Sequence, residues 1–406
     1  MKITDVRTVL LTGPCTGDPF ISEARKRRSA AFIEIHTDTE LVGLGETYAG
    51  YFCPEMVPEI VDFFKPILVG QTCDNIDELW QRMYHCGNFW CRVGLGLTVL
   101  NGVEAALWDL KGKMQGVPVY ELLGGCKHQS LRVYASGGPS NYPLERLARK
   151  LDHYLARGFM GVKLGAGGYS AEGGWVCPQA PAEAAAFEGA KMAFVRQHVG
   201  KEVLIMMDGH MGNSPSPSGT WGLDTAKAVM EAVAPYDLFF FEEPLHYTDP
   251  WGYAELCRCS KVPIAGGECL TGTYEWRVFV AQDAFDIGQP DASFTGGLSE
   301  FMRVAAMLEQ RGRKLATHSW GAGGSLMQNL HCAFACGNTT IVEASVDFAP
   351  LHAEIMGDSW VMKNGMVLPP QNPGLGFKLT DDIKQRFPFV RGSGEFNSVP
   401  GKVLVD

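Results

Sequence analysis

The chain has 406 residues, of which 46% are hydrophobic, 20% charged and 11% aromatic, a composition that excludes collagen, coiled coils and disorder. It carries 45 acidic and 35 basic residues, a net charge of −10, and its longest basic cluster is residues 25–28, so no nucleic acid partner is expected. Because the protein is acidic, an anionic substrate would need a local cation to overcome the overall field.

The twelve cysteines are too sparse for a disulfide scaffold, and none of them forms a C-x-x-C pair. They are predicted to be reduced thiols of a cytosolic protein. The first residues lead directly into a strand without an apolar leader segment, and no window of ~18 apolar residues occurs. The sequence therefore predicts a soluble, cytoplasmic protein without a membrane partner.

The first part of the chain mixes strands and helices without a repeating unit. Alternating and β-branched residues predict a small antiparallel sheet from 2–12, 31–38 and 41–48. Apolar residues at helical spacing then predict helices over 54–68, 76–86 and 97–115. With the glycine pair at 124–125 as its boundary, residues 1–125 are predicted to form an α+β domain.

Beyond residue 126 short apolar runs alternate with amphipathic helices. Eight strands are predicted, at 131–136, 161–164, 203–208, 238–242, 263–268, 285–291, 314–318 and 340–343. Such alternation indicates parallel strands joined by crossover helices, and eight of them suit a (β/α)₈-type barrel over 126–358. A doubly wound sheet is the alternative, weakened because no G-x-G-x-x-G follows a strand.

Two further segments are set apart by composition. The connection 165–202 is overlong, with a front half rich in glycine and proline, and long loops of this kind usually carry specificity. The last segment, 359–406, contains a short strand pair at 359–362 and 366–368 and is predicted to return to the N-terminal domain.

Polar residues stand at the ends of seven predicted barrel strands. They are Lys163, Asp208, Glu242, Glu268, Asp291, His318 and Glu343. From Asp208 onward they are separated by 34, 26, 23, 27 and 25 residues, one strand–helix unit each. Because barrel chemistry is found at the carboxyl ends of the strands, these side chains are expected to converge.

The types of these residues suggest a metal site beside a general base. Asp208, Glu242 and Glu268 provide hard oxygen ligands that suit Mg²⁺ better than zinc. Asp208 as a turn residue and Glu242 as part of a surface pair are the alternatives, although a charge directly after the apolar run 238–241 is costly unless compensated. Asp291 on the neighbouring strand could orient His318 and raise its basicity.

The motifs FEEP, GGE, QPDA and THSWG, in this order and spacing, resemble those of the enolase superfamily, in its mandelate racemase-like subgroup. The segment ALWDLKGKMQGVPVYELLGG (106–125) adds to a resemblance that covers nearly the whole chain. It implies an α+β capping domain over a (β/α)₇β barrel, and an enzyme, often oligomeric, that removes a proton α to a carboxylate. It also implies Mg²⁺ on Asp208, Glu242 and Glu268, a His318–Asp291 dyad, and Lys163 with a protonated Glu343 at the developing enolate.

One departure bears on the reaction. Racemases of this family carry K-x-K at the second strand, but here Lys163 is followed by Leu164 and Gly165, so the second base is missing. The D-x-H pattern that ends in His210 resembles the sugar-acid dehydratases of the subgroup. His210 is either an acid or base or a polar residue beside the first metal ligand.

Dehydration of a sugar acid to a 2-keto-3-deoxy acid is the leading hypothesis for the reaction. A racemase, epimerase or lactone cycloisomerase is the alternative, with His210 in place of the missing lysine. A catalytically silent relative is disfavoured because the metal and dyad positions are intact, and a metallohydrolase because early strands lack histidine ligands. Specificity is assigned to loops 13–30, 49–55 and 165–180, and the substrate itself is not identified by the sequence.

Overall fold

The N-terminal part of the chain forms an antiparallel sheet. The computed structural model describes residues 1–20, 27–137, 143–169, 175–212, 220–320 and 323–394. The sheet consists of β1 (Ile3–Pro14), β2 (Arg27–Thr37) and β3 (Val42–Thr47), in that order. The small antiparallel sheet predicted from residue alternation is thereby confirmed.

One long helix packs across this sheet. The helices are α1 (Ala49–Phe52), α2 (Val57–Leu68), α3 (Ile76–Cys86), α4 (Leu95–Gln115) and α5 (Val119–Leu122), with a 3₁₀ turn at Pro54–Met56. Glycines on β3 let α4 approach closely, since a Cβ at Gly45 would lie 2.0 Å from the carbonyl oxygen of Gly102. This close packing fixes the position of β3 against α4.

The second part is a closed barrel of eight parallel strands. In chain order the strands are β4 (Leu131–Ser136), β5 (Gly161–Gly165), the two-stranded ribbon β6 (Gly168–Tyr169) and β7 (Trp175–Val176) outside the barrel, β8 (Leu204–Asp208), β9 (Leu238–Glu242), β10 (Ile264–Gly266), β11 (Ile287–Gly288), β12 (Lys314–Thr317) and β13 (Thr339–Ser345). The barrel closes because β13 pairs in parallel with β4.

A helix fills each of the seven connections between barrel strands. They are α6 (Leu144–Ala156), α7 (Pro181–Val199), α8 (Leu223–Val233) with a 3₁₀ turn at Ala234–Tyr236, α9 (Pro250–Cys259), α10 (Gly272–Ala281), α11 (Leu298–Gln310) and α12 (Gly324–Ala335). The (β/α)₇β barrel with an N-terminal sheet domain is therefore confirmed, and the doubly wound sheet is excluded.

Two predicted strands are shorter than expected. β10 ends at Gly266 and β11 at Gly288, so Glu268 and Asp291 lie in the loops that follow. Gly267 has φ +113°, and a Cβ there would lie 2.2 Å from the Trp276 ring, so the chain must turn at a glycine. Pro290 has no N–H to continue the ladder.

An apolar layer fills the barrel directly beneath the polar strand ends. It contains Tyr134, Met206, Phe240, Ala265, Ile287, Ala316 and Ile341, all buried. Since side chains alternate along a strand, the residues two positions further on point into the barrel again. These include Asp208, Glu242, His318 and Glu343, which therefore rest on this layer.

The end of the described chain contacts both parts of the molecule. It comprises α13 (Pro350–Met356), a 3₁₀ turn at Gly357–Ser359, β14 (Met362–Lys363), β15 (Met366–Val367) and α14 (Asp381–Arg386). The hairpin β14–β15 adds to barrel strand β4, whereas Phe387 and Pro388 pair with β1. The domain limits at 125 and 358 stay a prediction, and residues 395–406 lie outside the described part.

The twelve cysteines all lie in the described part of the chain and form no disulfide with one another. Within the described ranges, the helices lack the combination of length and apolar character that crossing a membrane requires.

Acid is expected to destabilise the fold through the buried His331 of α12. Burial lowers the pKa of His331 to about 4, against 6.5 for an ordinary histidine. Between these two pH values the histidine is protonated in the unfolded chain and neutral in the folded chain. The free energy of unfolding is therefore expected to fall by about 2 kcal/mol between pH 7 and pH 5. Denaturant titrations of wild type and His331→Gln should show a shallower pH dependence in the variant, whereas the exposed His85→Gln should match wild type.

Candidate active site

Lys163 lies at the centre of the polar strand ends. Its ammonium is 2.9 Å from both carboxylate oxygens of Glu242, 3.1 Å from Glu343 and 3.2 Å from Asp208. Burial alone would lower the pKa of Lys163, but these three carboxylates raise it well above its usual value. A single buried cation thus holds together the ends of β5, β8, β9 and β13.

His318 and Asp291 form a hydrogen-bonded pair beside this cluster. His318 Nδ1 lies 2.8 Å from Asp291 Oδ2, and His318 Nε2 lies 3.5 Å from Glu268 Oε2. Burial would lower the pKa of His318, but Glu268 and Asp291 raise it to about 10. Because Nδ1 is engaged by Asp291, Nε2 is the nitrogen that faces the cluster and can exchange a proton there.

Asp291 is held in place by several hydrogen bonds besides the one to His318. Its Oδ1 accepts hydrogen bonds from the backbone N–H of Ser293 at 2.7 Å, the Ser293 hydroxyl at 2.6 Å and Asn329 Nδ2 at 2.8 Å. Three donors hold this oxygen in place and leave Oδ2 to His318.

Glu343 is paired with Lys163 in this arrangement. Burial would raise its pKa, but Lys163 and His318 lower it to about 2, and the backbone N–H of Ser319 donates to it at 2.6 Å. The protonated Glu343 at the developing enolate, which the resemblance implies, stays a prediction for the enzyme with its substrate bound.

The carboxylates outnumber the cations around them, which suits a divalent ion. Burial and repulsion from Asp208 raise the pKa of Glu242 well above its usual value, and burial and repulsion from Glu268 do the same for Glu243. The raised pKa values of Glu242 and Glu243 mean that a positive charge between these carboxylates would be stabilised. Asp208, Glu242 and Glu268 offer the hard oxygen donors that Mg²⁺ prefers, so the residues fit the ion.

Glu243, the neighbour of Glu242, is a second buried acid beside the cluster. Among the described residues, the group of possible ligands whose atoms all lie within 4.8 Å of one another consists of Glu243, Glu268 and Cys269. Asp208, Glu242 and Glu268 do not come that close together in this structure, so the predicted ligand set stays a prediction. The Glu243 carboxylate, however, already accepts from the Tyr247 hydroxyl at 2.5 Å and from the backbone N–H of Gly212 at 3.2 Å. A thiol is also a poor partner for a hard cation.

Residues after the ends of β8 and β9 have left-handed backbones. His210 has φ +52° and Glu243 has φ +45°, conformations that favour glycine. Such strain is common at functional sites. The His210 N–H donates to Asp208 Oδ1 at 2.8 Å, which orients that carboxylate, while the imidazole of His210 is exposed.

The structure thus brings seven of the eight predicted residues into a cluster of two adjoining groups, one around Lys163 and one around His318. In the described part of the chain, no hydrogen bond or ion pair joins the His210 imidazole to that cluster. Gln289 was missed, although it lies two positions before Asp291 and its Nε2 donates to Glu242 at 2.7 Å. The predicted specificity loops 13–30 and 165–180 fall partly on residues 21–26 and 170–174, which lie outside the described part.

Lys191 is a buried lysine near Gly165, the position at which a K-x-K motif has its second lysine. Its ammonium donates to the carbonyl oxygens of Gly165 at 2.9 Å and Gly167 at 2.8 Å, and it pairs with Glu188 at 2.6 Å. This buried lysine fixes the loop after β5 and is fully engaged with it. It therefore does not act as a base in place of the missing side chain.

The sequence matches two family models. The model described as enolase C-terminal domain-like matches residues 146–383, and the N-terminal domain model of mandelate racemase / muconate lactonizing enzyme matches residues 16–124.

Known proteins with similar sequences are enzymes of sugar-acid metabolism. The chain is 31% identical over 359 residues to arabinonate dehydratase of Saccharolobus solfataricus, covering 87% of this chain and 89% of that protein. It is 29% identical over 400 residues to D-galactarolactone cycloisomerase of Agrobacterium fabrum, covering 95% and 99%. The crystal structure of L-talarate dehydratase from Polaromonas sp. JS666, complexed with Mg and L-glucarate, superposes with a TM-score of 0.78 at 28% identity, covering 96% of this chain and 98% of that one.

Proposed function

Because the chain belongs to the mandelate racemase/muconate lactonizing enzyme family of the enolase superfamily, we propose that it dehydrates a sugar acid to a 2-keto-3-deoxy acid. The family contains both dehydratases and cycloisomerases, so its members are enzymes but their reactions differ. The observation that carries the choice of dehydration is a single dyad, His318–Asp291, with Gly165 where a racemase has its second base.

Members of the superfamily generally bind Mg²⁺, which Asp208, Glu242 and Glu268 would hold here. The ion would stabilise the negative charge that develops on the substrate carboxylate. It would also offset the pull of Glu268 on the His318 proton, so that the imidazole could be neutral and serve as a base.

The residues of the chain then have distinct tasks. Lys163 leaves its carboxylate partners to pair with the carboxylate of the substrate, which permits Glu343 to take up a proton and donate a hydrogen bond there. His318 Nε2 removes the proton from C2, and Asp291 holds the imidazole in the orientation required. The same proton, or one from His210, is passed to the hydroxyl leaving C3, which departs as water. The enol that remains takes a proton at C3 and becomes the 2-keto-3-deoxy acid.

Lactone cycloisomerisation is the second candidate, favoured by the relative that matches nearly end to end. It begins with removal of the same proton, but a ring oxygen departs in place of a hydroxyl. An open-chain acid and its lactone, supplied separately, distinguish the two reactions.

Turnover in D₂O, followed by proton NMR, tests the proposal. With Mg²⁺ and a panel of sugar acids that includes arabinonate and galactonate, we expect a keto product with deuterium at C3. One dyad suffices for elimination, whereas inversion at C2 needs a second base on the opposite face. Deuterium found only at C2 of an inverted, undehydrated acid would assign the protein to the racemases instead.

A further inference from the structure

Glu46, at the end of β3, reaches across to the barrel. Its Oε2 accepts from the backbone N–H of Ser325 at 2.8 Å, in the first turn of α12, and its Oε1 accepts from the Tyr51 hydroxyl at 2.8 Å. Its own N–H donates to Gln328 at 2.7 Å. Glu46 is completely buried, so this carboxyl joins the N-terminal domain to the helix between β12 and β13.

A chain of hydrogen bonds leads from Glu46 to Asp291. The Ser325 and Ser293 hydroxyls are 2.6 Å apart, and the Ser293 hydroxyl lies 2.6 Å from Asp291 Oδ1. Since a carboxylate only accepts, Ser293 must donate to Asp291, and Ser325 must donate to Ser293. Each of these residues is buried, and the chain ends on the carboxylate that holds His318.

The N-terminal domain also contacts the imidazole of His318 directly. The ring of Tyr48, two residues after Glu46, lies edge-on to that imidazole, with centroids 5.8 Å apart. The backbone N–H of Tyr48 donates to the carbonyl oxygen of Ser293 at 3.1 Å. One short segment thus touches His318 on its face and supports Ser293, which in turn supports Asp291.

We propose that the segment Glu46–Tyr48 positions the His318–Asp291 dyad, with Glu46 acting through Ser325 and Ser293 and Tyr48 acting on the His318 ring. This inference rests on the proposed role of His318 as the base. Glu46 and Tyr48 are positioning residues, which act through Asp291 and His318. Burial raises the pKa of Glu46 to about 7, so an ionised carboxylate at this position costs free energy.

A graded series of variants tests the chain of hydrogen bonds from Glu46 to Asp291. Ser293→Ala removes a hydrogen-bond donor to Asp291, and we expect kcat to fall about tenfold. Ser325→Ala acts one hydrogen bond further away and should lower kcat about fivefold. KM should be unchanged in both variants. Glu46→Gln keeps an acceptor for the Ser325 N–H and should lower kcat less. Glu34→Gln is the matched control, because Glu34 is a buried acid of the same sheet that pairs with Lys384.

A spectroscopic readout separates positioning from structural support. In protein labelled with [¹⁵N]histidine and saturated with Mg²⁺, which is proposed to leave the imidazole neutral, His318 should hold its proton on Nδ1 in the wild type and distribute it over both nitrogens in Ser293→Ala and Ser325→Ala. The His318 signals are assigned with His318→Asn. A helix-capping role of Glu46 would lower the unfolding temperature in Glu46→Gln without moving these signals.

Combining Glu46→Gln with Ser293→Ala should cost less than the sum of the two changes, because both act on one chain of hydrogen bonds. Unchanged His318 signals in Ser325→Ala and Glu46→Gln would overturn the inference even if the enzyme dehydrates sugar acids. Should no sugar acid turn over, the proposed reaction fails, while the histidine signals still decide whether the segment positions the dyad.

Discussion

His318→Asn is expected to abolish exchange of the C2 proton of the substrate while leaving substrate binding nearly intact. The asparagine side chain can still accept a hydrogen bond, but it cannot take up a proton as Nε2 does. General acid–base catalysis contributes about 10²–10⁴ in rate, and here the same imidazole is proposed to serve the leaving hydroxyl as well, so a loss of at least ~10³ is expected. Exchange is measured by NMR in D₂O and binding by calorimetry.

His128→Asn is a suitable control for this change. His128 precedes β4 and so lies at the amino end of the barrel, where its Nε2 bonds the carbonyl oxygen of Cys336. Its replacement should leave exchange unaffected. Normal exchange in His318→Asn would place the base elsewhere, and His210 would be examined first.

Asp291→Asn, the companion change in the dyad, should cost less than His318→Asn. Three donors surround Oδ1, so the amide oxygen must face them and the amide NH₂ must face His318. The imidazole then accepts at Nδ1 and carries its proton on Nε2, the wrong nitrogen for a base. Exchange of the C2 proton should then fall to the rate that the less populated tautomer, with its proton on Nδ1, can support. The [¹⁵N]histidine spectrum would show the change of tautomer.

The barrel could be predicted from sequence because its signal is repeated. Eight apolar runs that alternate with helices leave few topologies, and the polar residues at seven of the strand ends then fall on one rim. The extent of β10 and β11 could not be predicted, because a turn at Gly267 and the absence of an N–H at Pro290 end the pairing before the apolar pattern ends. Glu268 and Asp291 therefore lie on loops and still reach the predicted cluster.

The two-residue period of a strand places several site residues on the rim of the barrel. Asp208, Glu242 and Glu343 keep that period, and so does Gln289, which the pattern could have revealed. Glu243 breaks it, and its burial depends on the left-handed turn that follows β9. Contacts from the other domain have no local signal at all, since Tyr48 and His318 are separated by 270 residues and meet only through tertiary packing.

Asp208→Asn, Glu242→Gln and Glu268→Gln are each expected to lower turnover by at least ~10²–10³, and EDTA should abolish it reversibly. Each substitution removes one charge from the set proposed to hold Mg²⁺. Binding of Mg²⁺ by calorimetry should weaken in parallel. Glu188→Gln is the control, because Glu188 is a buried acid of α7 whose partners are Lys191 and the loop after β5.

Thermal unfolding separates a lost ion from a damaged fold. Burial and repulsion from Asp208 raise the pKa of Glu242 despite the attraction of Lys163, so a neutral side chain there relieves unfavourable charge when no metal is present. In EDTA, Glu242→Gln should therefore unfold at the wild-type temperature or above it, while the rise in unfolding temperature that Mg²⁺ gives the wild type should disappear. Glu243→Gln should retain most of that rise. The reverse pattern, with the rise lost in Glu243→Gln and Cys269→Ser but kept in Glu242→Gln, would move the ion to the group formed by Glu243, Glu268 and Cys269.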